Sequence, residues 1–312
     1  MILYSRNIQS MIGWAMLLLP CLTCAQDAPT PVPPKITFLA PKDQGMVKNP
    51  SINEASGIVA SRKNDGVLWT HNDSGNSAKV YAISSTGETL GEWTIAGAQN
   101  RDWEDIAIGP GPVEGETYLY VGDIGDNQAL RPSLKIYRFP EPTLSGDGLI
   151  SSTIEEVETI TLRYPDGARD AETLLVDPLT RDIYIVSKRD AFARIYRLAY
   201  PQTTGEAVTA EKLGEWPREI GGMFNQPVGG DISPDGKELL IKSYVQVFYW
   251  RRENDQTSIF DLMQTDPETL PYTVEPQGEA IGWAPDMSGY FTLSEEQNKV
   301  TPHLFFYERK EE

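Results

Sequence analysis

An acid, a short apolar strand and a tight turn recur five times along this chain. No other feature limits its fold as severely. The units open at Glu54-Ala-Ser-Gly-Ile, Glu104-Asp-Ile-Ala-Ile, Glu172-Thr-Leu-Leu-Val, Asp231-Ile-Ser and Glu279-Ala-Ile-Gly-Trp. The turns that follow are built from Gly, Pro, Asn, Asp and Ser, as in Lys63-Asn-Asp-Gly66 and Ser233-Pro-Asp-Gly236. These residues supply tight-turn geometry. A second strand follows each turn, for example Val67-Leu-Trp-Thr and Ile183-Tyr-Ile-Val. A third carries aromatics, as in Lys135-Ile-Tyr-Arg and Val247-Phe-Tyr-Trp. Fourth strands show at Thr89 to Ile95, Val157 to Leu162 and Lys212 to Trp216.

The opening acids are 50, 68, 59 and 48 residues apart, and helical periodicity is nearly absent. Four antiparallel strands repeated at this period describe an all-β chain, a β-propeller of five blades. The long second unit leaves room for a sixth blade between Pro140 and Tyr164. A β-sandwich would use similar strands but does not account for five similar units. Lys35 to Ala40 reads as a strand that could complete the last blade and close the ring.

The segment before the repeats reads as an address. Arg6 is the only charge before Asp27, and an apolar run spans Met11 to Leu22. Thr23-Cys24-Ala25 then suits signal-peptidase cleavage, so residues 1–25 are expected to be a signal peptide and the protein to be exported, to the periplasm or beyond. The run is short for a membrane span, so no membrane insertion is expected after cleavage. Both cysteines lie in that segment, so the mature chain could form no disulfide. Residues 26–50 are a proline-rich lead-in, and 51–312 is the propeller domain. Acids outnumber bases 45 to 27, giving a charge of −18, which argues against nucleic acid as a partner. With two cysteines and two histidines, a Cys/His zinc site is close to excluded.

In a propeller the first strand of each blade lines the central channel. The acids that open the units would therefore converge at one mouth. Carboxylates crowded there either hold protons or share a cation. Oxygen ligation without His or Cys favours calcium or magnesium. The metal ligands expected are Glu54, Asp73, Asp105, Asp123, Asp231 and Glu279, the cofactor calcium. Asp102 and Asp170 lie beside them in the chain. Asp73 and Asp123 come from His71-Asn-Asp-Ser-Gly-Asn76 and Gly122-Asp-Ile-Gly-Asp-Asn127, loops that follow second strands. Glu104 and Glu172 are the candidate catalytic bases. Other units place Lys188, Arg189 and Lys242 at the corresponding level, suited to binding an anion. They and His71 are the candidate substrate-binding residues.

The repeats resemble the exported β-propeller phytases and the phytase-like esterase group. They resemble the senescence-marker/gluconolactonase propellers more distantly. Val80-Tyr-Ala-Ile-Ser-Ser-Thr-Gly carries the first likeness. Asp170-Ala-Glu-Thr-Leu and Gly278-Glu-Ala-Ile resemble strand starts that in those families face a calcium-filled channel. Glu54, Gly57 and Leu68-Trp69 resemble the metal-binding glutamate unit of the lactonases. The chain departs from both patterns. The phytase paired-aspartate motif is missing, and Ser243 stands where the lactonases carry a catalytic aspartate. The resemblance implies a calcium-dependent hydrolase of phosphate or other esters, acting on a small-molecule or glycan ligand. The alternatives are a non-catalytic envelope propeller and a five-bladed glycosidase using acids from different blades.

Overall fold

Each repeat unit folds into one antiparallel sheet because its apolar runs are strand-length and its turns reverse the chain. The computed structural model describes Met1 and residues 36–145, 148–219 and 221–311. Apart from Met1, the expected signal peptide lies outside the described residues, both cysteines included. All the described elements belong to the unit Lys35–Glu312.

Strands β1 (Ile36–Phe38) and β2 (Lys42–Met46) come first. Blade 1 is β3 (Ala55–Ala60), β4 (Val67–Asn72), β5 (Lys79–Ser84) and β6 (Thr89–Ile95). Blade 2 starts with β7 (Asp105–Pro110), β8 (Thr117–Asp123) and β9 (Leu134–Pro140). The chain then returns to blade 1 as β10 (Ile150–Ile154), parallel to β6. It rejoins blade 2 as β11 (Glu158–Arg163), antiparallel to β9. Blade 3 holds β12 (Ala171–Val176), β13 (Ile183–Ser187) and β14 (Arg194–Leu198). After it, β15 (Val208–Thr209) runs parallel to β11, and β16 (Glu211–Glu215) completes blade 3. Blade 4 is β17 (Pro227–Ile232), β18 (Glu238–Ser243) and β19 (Val247–Arg251). The short helix α1 (Ile259–Met263) then leads to its edge strand β20 (Glu268–Leu270). Blade 5 is β21 (Gly278–Trp283), β22 (Gly289–Ser294) and β23 (His303–Glu311). Both β1 and β2 pair antiparallel with β23, Phe38 opposite Arg309 and Met46 opposite His303.

The protein is a five-bladed β-propeller. Among its described residues, the segment with room for a sixth blade makes none. Its strands β10 and β11 extend the edges of blades 1 and 2, since neither has partners to start a sheet of its own. Strands β3, β7, β12, β17 and β21 form the inner ring, each packed against the next, and β21 meets β3. So tight a ring needs small residues where strands meet. A Cβ on Gly282 would lie 2.4 Å from the Ile58 carbonyl oxygen of the next blade, too close for any side chain.

The core is a set of inter-blade layers rather than one centre. Trp69 and Trp93 of blade 1 bury against Leu119 and Phe139 of blade 2. Leu240 and Tyr249 of blade 4 bury against Trp283 and Tyr290 of blade 5. Phe38, from the N-terminal strand, inserts there, its ring 5.2 Å from that of Tyr290. Polar staples join blades at the end of the channel where the inner strands finish. Glu141 accepts from Trp69 Nε1 at 3.0 Å and from the Arg62 amide at 3.3 Å. Arg252 grips Asp177 with two hydrogen bonds, 2.9 and 3.3 Å, both side chains fully buried. Arg309 pairs with Glu238. Among the described residues no helix is long and apolar enough to cross a membrane.

Candidate functional site

The candidate site sits where the inner strands begin, at the opposite end from the staples. Glu104 immediately precedes β7, and Glu172 and Glu279 are the second residues of β12 and β21. All three are buried. Neighbouring loops add Asp73, Asp102 and Asp170. Oxygens of Asp73, Asp102 and Glu104 lie within 4.8 Å of one another, as do oxygens of Glu104, Asp170 and Glu172. Glu104 is thus common to two acid triads. A Cβ on Gly125 would lie 2.0 Å from Glu104 Oε1 and 2.6 Å from Asp102 Oδ2. Only glycine lets the loop after β8 cross these carboxyls so closely.

Two cations and a phenol edge the cluster. Lys188 pairs with Glu172 and donates to the Tyr244 hydroxyl at 3.1 Å. That hydroxyl donates in turn to Glu279 Oε1 at 2.5 Å. Ser56 Oγ donates to Glu279 Oε2 at 3.2 Å. Arg189, on the exposed rim, holds Asp170 Oδ2 at 2.6 Å. The second oxygen of Glu172, Oε2, is buried without a hydrogen-bond partner among the described residues.

Crowding and burial show in the titration of these groups. Burial, then the charge of Glu172, Asp73 and Glu279, raises Glu104 well above the usual carboxylate range. Asp73 is pushed up to about 7, by burial first and then by Glu279, Asp102 and Glu54. Asp102 is also raised, by burial and by Asp170. Burial opposes the charge on Lys188, but Glu172, Glu279 and Glu104 outweigh it and raise its pKa. The ammonium therefore stays charged while the acids compete for protons.

Of the residues singled out in the sequence, the structure brings together Glu104, Glu172, Glu279 and Asp73, with Asp102, Asp170, Lys188 and Arg189 around them. Glu54 lies at the edge, half-buried, its carboxylate accepting from Asn76 Nδ2. Others stand elsewhere. Asp105 Oδ2 accepts from the Leu174 amide at 3.0 Å and the Gly230 amide at 3.3 Å, inside the ring. Asp231 Oδ2 accepts from the Trp283 amide at 2.8 Å. Both satisfy inner-strand N–H groups of other blades, groups that would otherwise be buried unpaired. Asp123 is committed to Arg131 at 2.9 Å and to the Asp102 amide at 3.1 Å. Lys242 is fully buried, donates to the Gly278 and Ser243 carbonyls, and lies 4.5 Å from the Tyr272 ring centroid. His71 is also fully buried, with Nδ1 donating to the Asn72 carbonyl at 3.0 Å and its ring edge-on to Trp103. Tyr244 is the participant least visible in the sequence. A tyrosine in a chain with 14 of them carries no positional signal until blade geometry places it.

The buried imidazole gives a pH prediction. Burial lowers the His71 pKa from 6.5 to about 4. The unfolded chain then takes up a proton at a pH where the folded one does not. The stability held above pH 6.5 is lost as pH falls from 6.5 towards about 4. The loss is roughly 3 kcal/mol by linkage. Urea midpoints of wild type and His71→Asn measured across that window should diverge in this direction, and parallel curves would contradict it.

No protein-family model matches the sequence, and no curated protein matches it either. Solved structures resemble it at the level of fold. The WD40 repeats of RRP9 align with TM-score 0.44 and 9% identity, over 88% of this chain and 100% of that one. A gluconolactonase from Xanthomonas campestris aligns with TM-score 0.45 and 10% identity, over 78% of this chain and 69% of that one. A luciferin-regenerating enzyme aligns with TM-score 0.40 and 11% identity, over 88% and 95%. Neither the phytase-like nor the lactonase resemblance has a sequence match behind it.

Proposed function

We propose that this propeller binds calcium at the acidic mouth and hydrolyses ester bonds of an anionic substrate there, phosphate esters first among them. One observation carries this reading: Glu104 is buried with its carboxylate oxygens within 4.8 Å of oxygens from two acid pairs. The donor set fits the ion. It is all oxygen, which suits calcium or magnesium rather than zinc, and the several carboxyls suit the high coordination number of calcium.

Asp73, Asp102 and Glu104 would hold the ion, with Asp170 beside them. Bound calcium supplies positive charge that offsets the carboxyls, draws an anionic group and favours deprotonation of water. Lys188 and Arg189 extend that positive charge to the substrate's anionic end. Glu172 is the general base: burial raises its pKa, Lys188 at its Oε1 opposes that rise, and the unpartnered Oε2 takes the proton from water. The water oxygen bonds to phosphorus or carbonyl carbon, the ester bond breaks, and the proton passes to the departing alcohol. Tyr244 positions Lys188 and Glu279. On the same reading the chain works outside the cytosol, where calcium sites of about 10⁻⁴–10⁻³ M affinity are filled.

Raised carboxyl pKa values give this proposal a specific test. A group titrating near 7, as Asp73 does, holds protons that calcium must displace. Affinity should rise about tenfold between pH 6 and pH 8 for one such group. The calorimetric binding enthalpy should also change with the ionisation enthalpy of the buffer. A pH-independent affinity would place any calcium away from this cluster. Calcium binding without turnover of any ester would leave a binding propeller.

A further inference from the structure

Beside the mouth, blade 5 carries a cleft that the reaction just described does not use. It lies between the loop from β20 to β21 and the loop from β22 to β23, and encloses about 180 Å³. Its walls are largely apolar, with Val274, Pro276, Val300, Pro302 and Phe305 among them. Val274 and Val300 remain 60% and 62% exposed, apolar surface with no cover among the described residues. Glu295 also lines the cleft. Its amide donates to the Gln277 carbonyl at 3.2 Å, and the next amide, of Glu296, donates to Asn53 at the entry to blade 1. Ser294, which also lines the cleft, pairs with Gly278, the residue before Glu279, so the cleft adjoins the strand start that carries this acid.

We infer that this cleft is a subsite for the apolar part of the substrate, so that the substrate is an ester joining an anionic group to an aromatic or alkyl group. The inference rests on the mouth being the hydrolytic site. Size and lining both fit. A cavity of about 150 Å³ with aliphatic and aromatic walls admits a benzene ring. Ligand sites commonly join an apolar wall to a few polar groups that fix orientation. Here Ser294 lies on the side of Glu279, and Phe305 belongs to β23, the strand farther out in the blade. A molecule with its anionic end at the cation and its body in the cleft would rest its apolar part against Val274, Val300 and Phe305.

Phenylphosphonate and methylphosphonate, which carry no ester bond, separate the two claims. Each is titrated calorimetrically into calcium-loaded wild type, Val300→Asp and Val274→Asp. Both valines are exposed, so these variants keep the fold. The phenyl compound should bind wild type at least about tenfold more tightly than the methyl compound, as burial of a ring requires. Either substitution should remove most of that ratio and leave methylphosphonate affinity unchanged. Equal affinities in wild type would overturn the cleft assignment while leaving the mouth as the anion site. A ratio that survives both substitutions would also overturn it. Failure of both phosphonates to bind would overturn the hydrolytic reading and the cleft with it.

Discussion

Glu104→Gln is expected to lower calcium affinity at the mouth by at least about a hundredfold. Loss of a partner one layer out from a metal costs roughly 10–100-fold, and Glu104 is placed to be a direct ligand common to both triads. The substitution keeps the side-chain volume and removes one charge from a buried group. In the ion-free protein that charge is unfavourable, because burial and four neighbouring acids raise the Glu104 pKa. The variant should therefore be at least as stable as wild type without calcium, while losing calcium-dependent stabilisation. Glu172→Gln should behave differently. Its role as base predicts loss of turnover with most calcium affinity retained. Thermal unfolding with and without calcium, beside an ester-hydrolysis assay, separates the two variants. A Glu104→Gln protein that unfolds earlier without calcium and still binds it would show that Glu104 is structural.

The second large effect concerns the scaffold. Arg252→Met should cost about 3–5 kcal/mol, because it leaves the Asp177 carboxylate buried without its cation. Asp177 has two other donors, the Leu179 amide at 3.0 Å and Thr180 Oγ1 at 3.2 Å, so its charge is only partly satisfied without Arg252. Adding Asp177→Asn to Arg252→Met should recover about half of the loss, since the stranded charge is gone. The pair bridges blade 3 to blade 4, far from the mouth, so calcium affinity of the folded variant should be unchanged. Denaturant unfolding of the two single variants and the double variant measures the coupling. Additive losses would mean that the two side chains do not act as a pair.

Much of the architecture was legible because strand and turn are local properties. The unit starting at Glu172 has its apolar strand, its Asp177-Pro turn and its aromatic third strand in consecutive order. Strand pairing across long distances was not legible. The short β10 joins blade 1 from within the second unit, and no residue in Ile150–Ile154 marks that destination. The acids divide in a similar way. Glu172 and Glu279 each stand five residues before the turn residues Asp177 and Ala284, and both reach the mouth. Asp231 stands two residues before Ser233, well along β17, so its carboxyl meets the Trp283 amide inside the ring. Counting back from the turn would have separated these acids. His71 and Lys242 show a further limit. Both lie at the level expected, but a strand's side chains alternate, and these two point into packed surroundings rather than the mouth.

The most direct test is a calorimetric titration of calcium into the EDTA-stripped protein at pH 8. The account predicts saturable binding at or below millimolar calcium, with affinity that falls towards pH 6 and disappears in Glu104→Gln. No binding at millimolar calcium would contradict it, and the acid cluster would then be a protonated element of the scaffold.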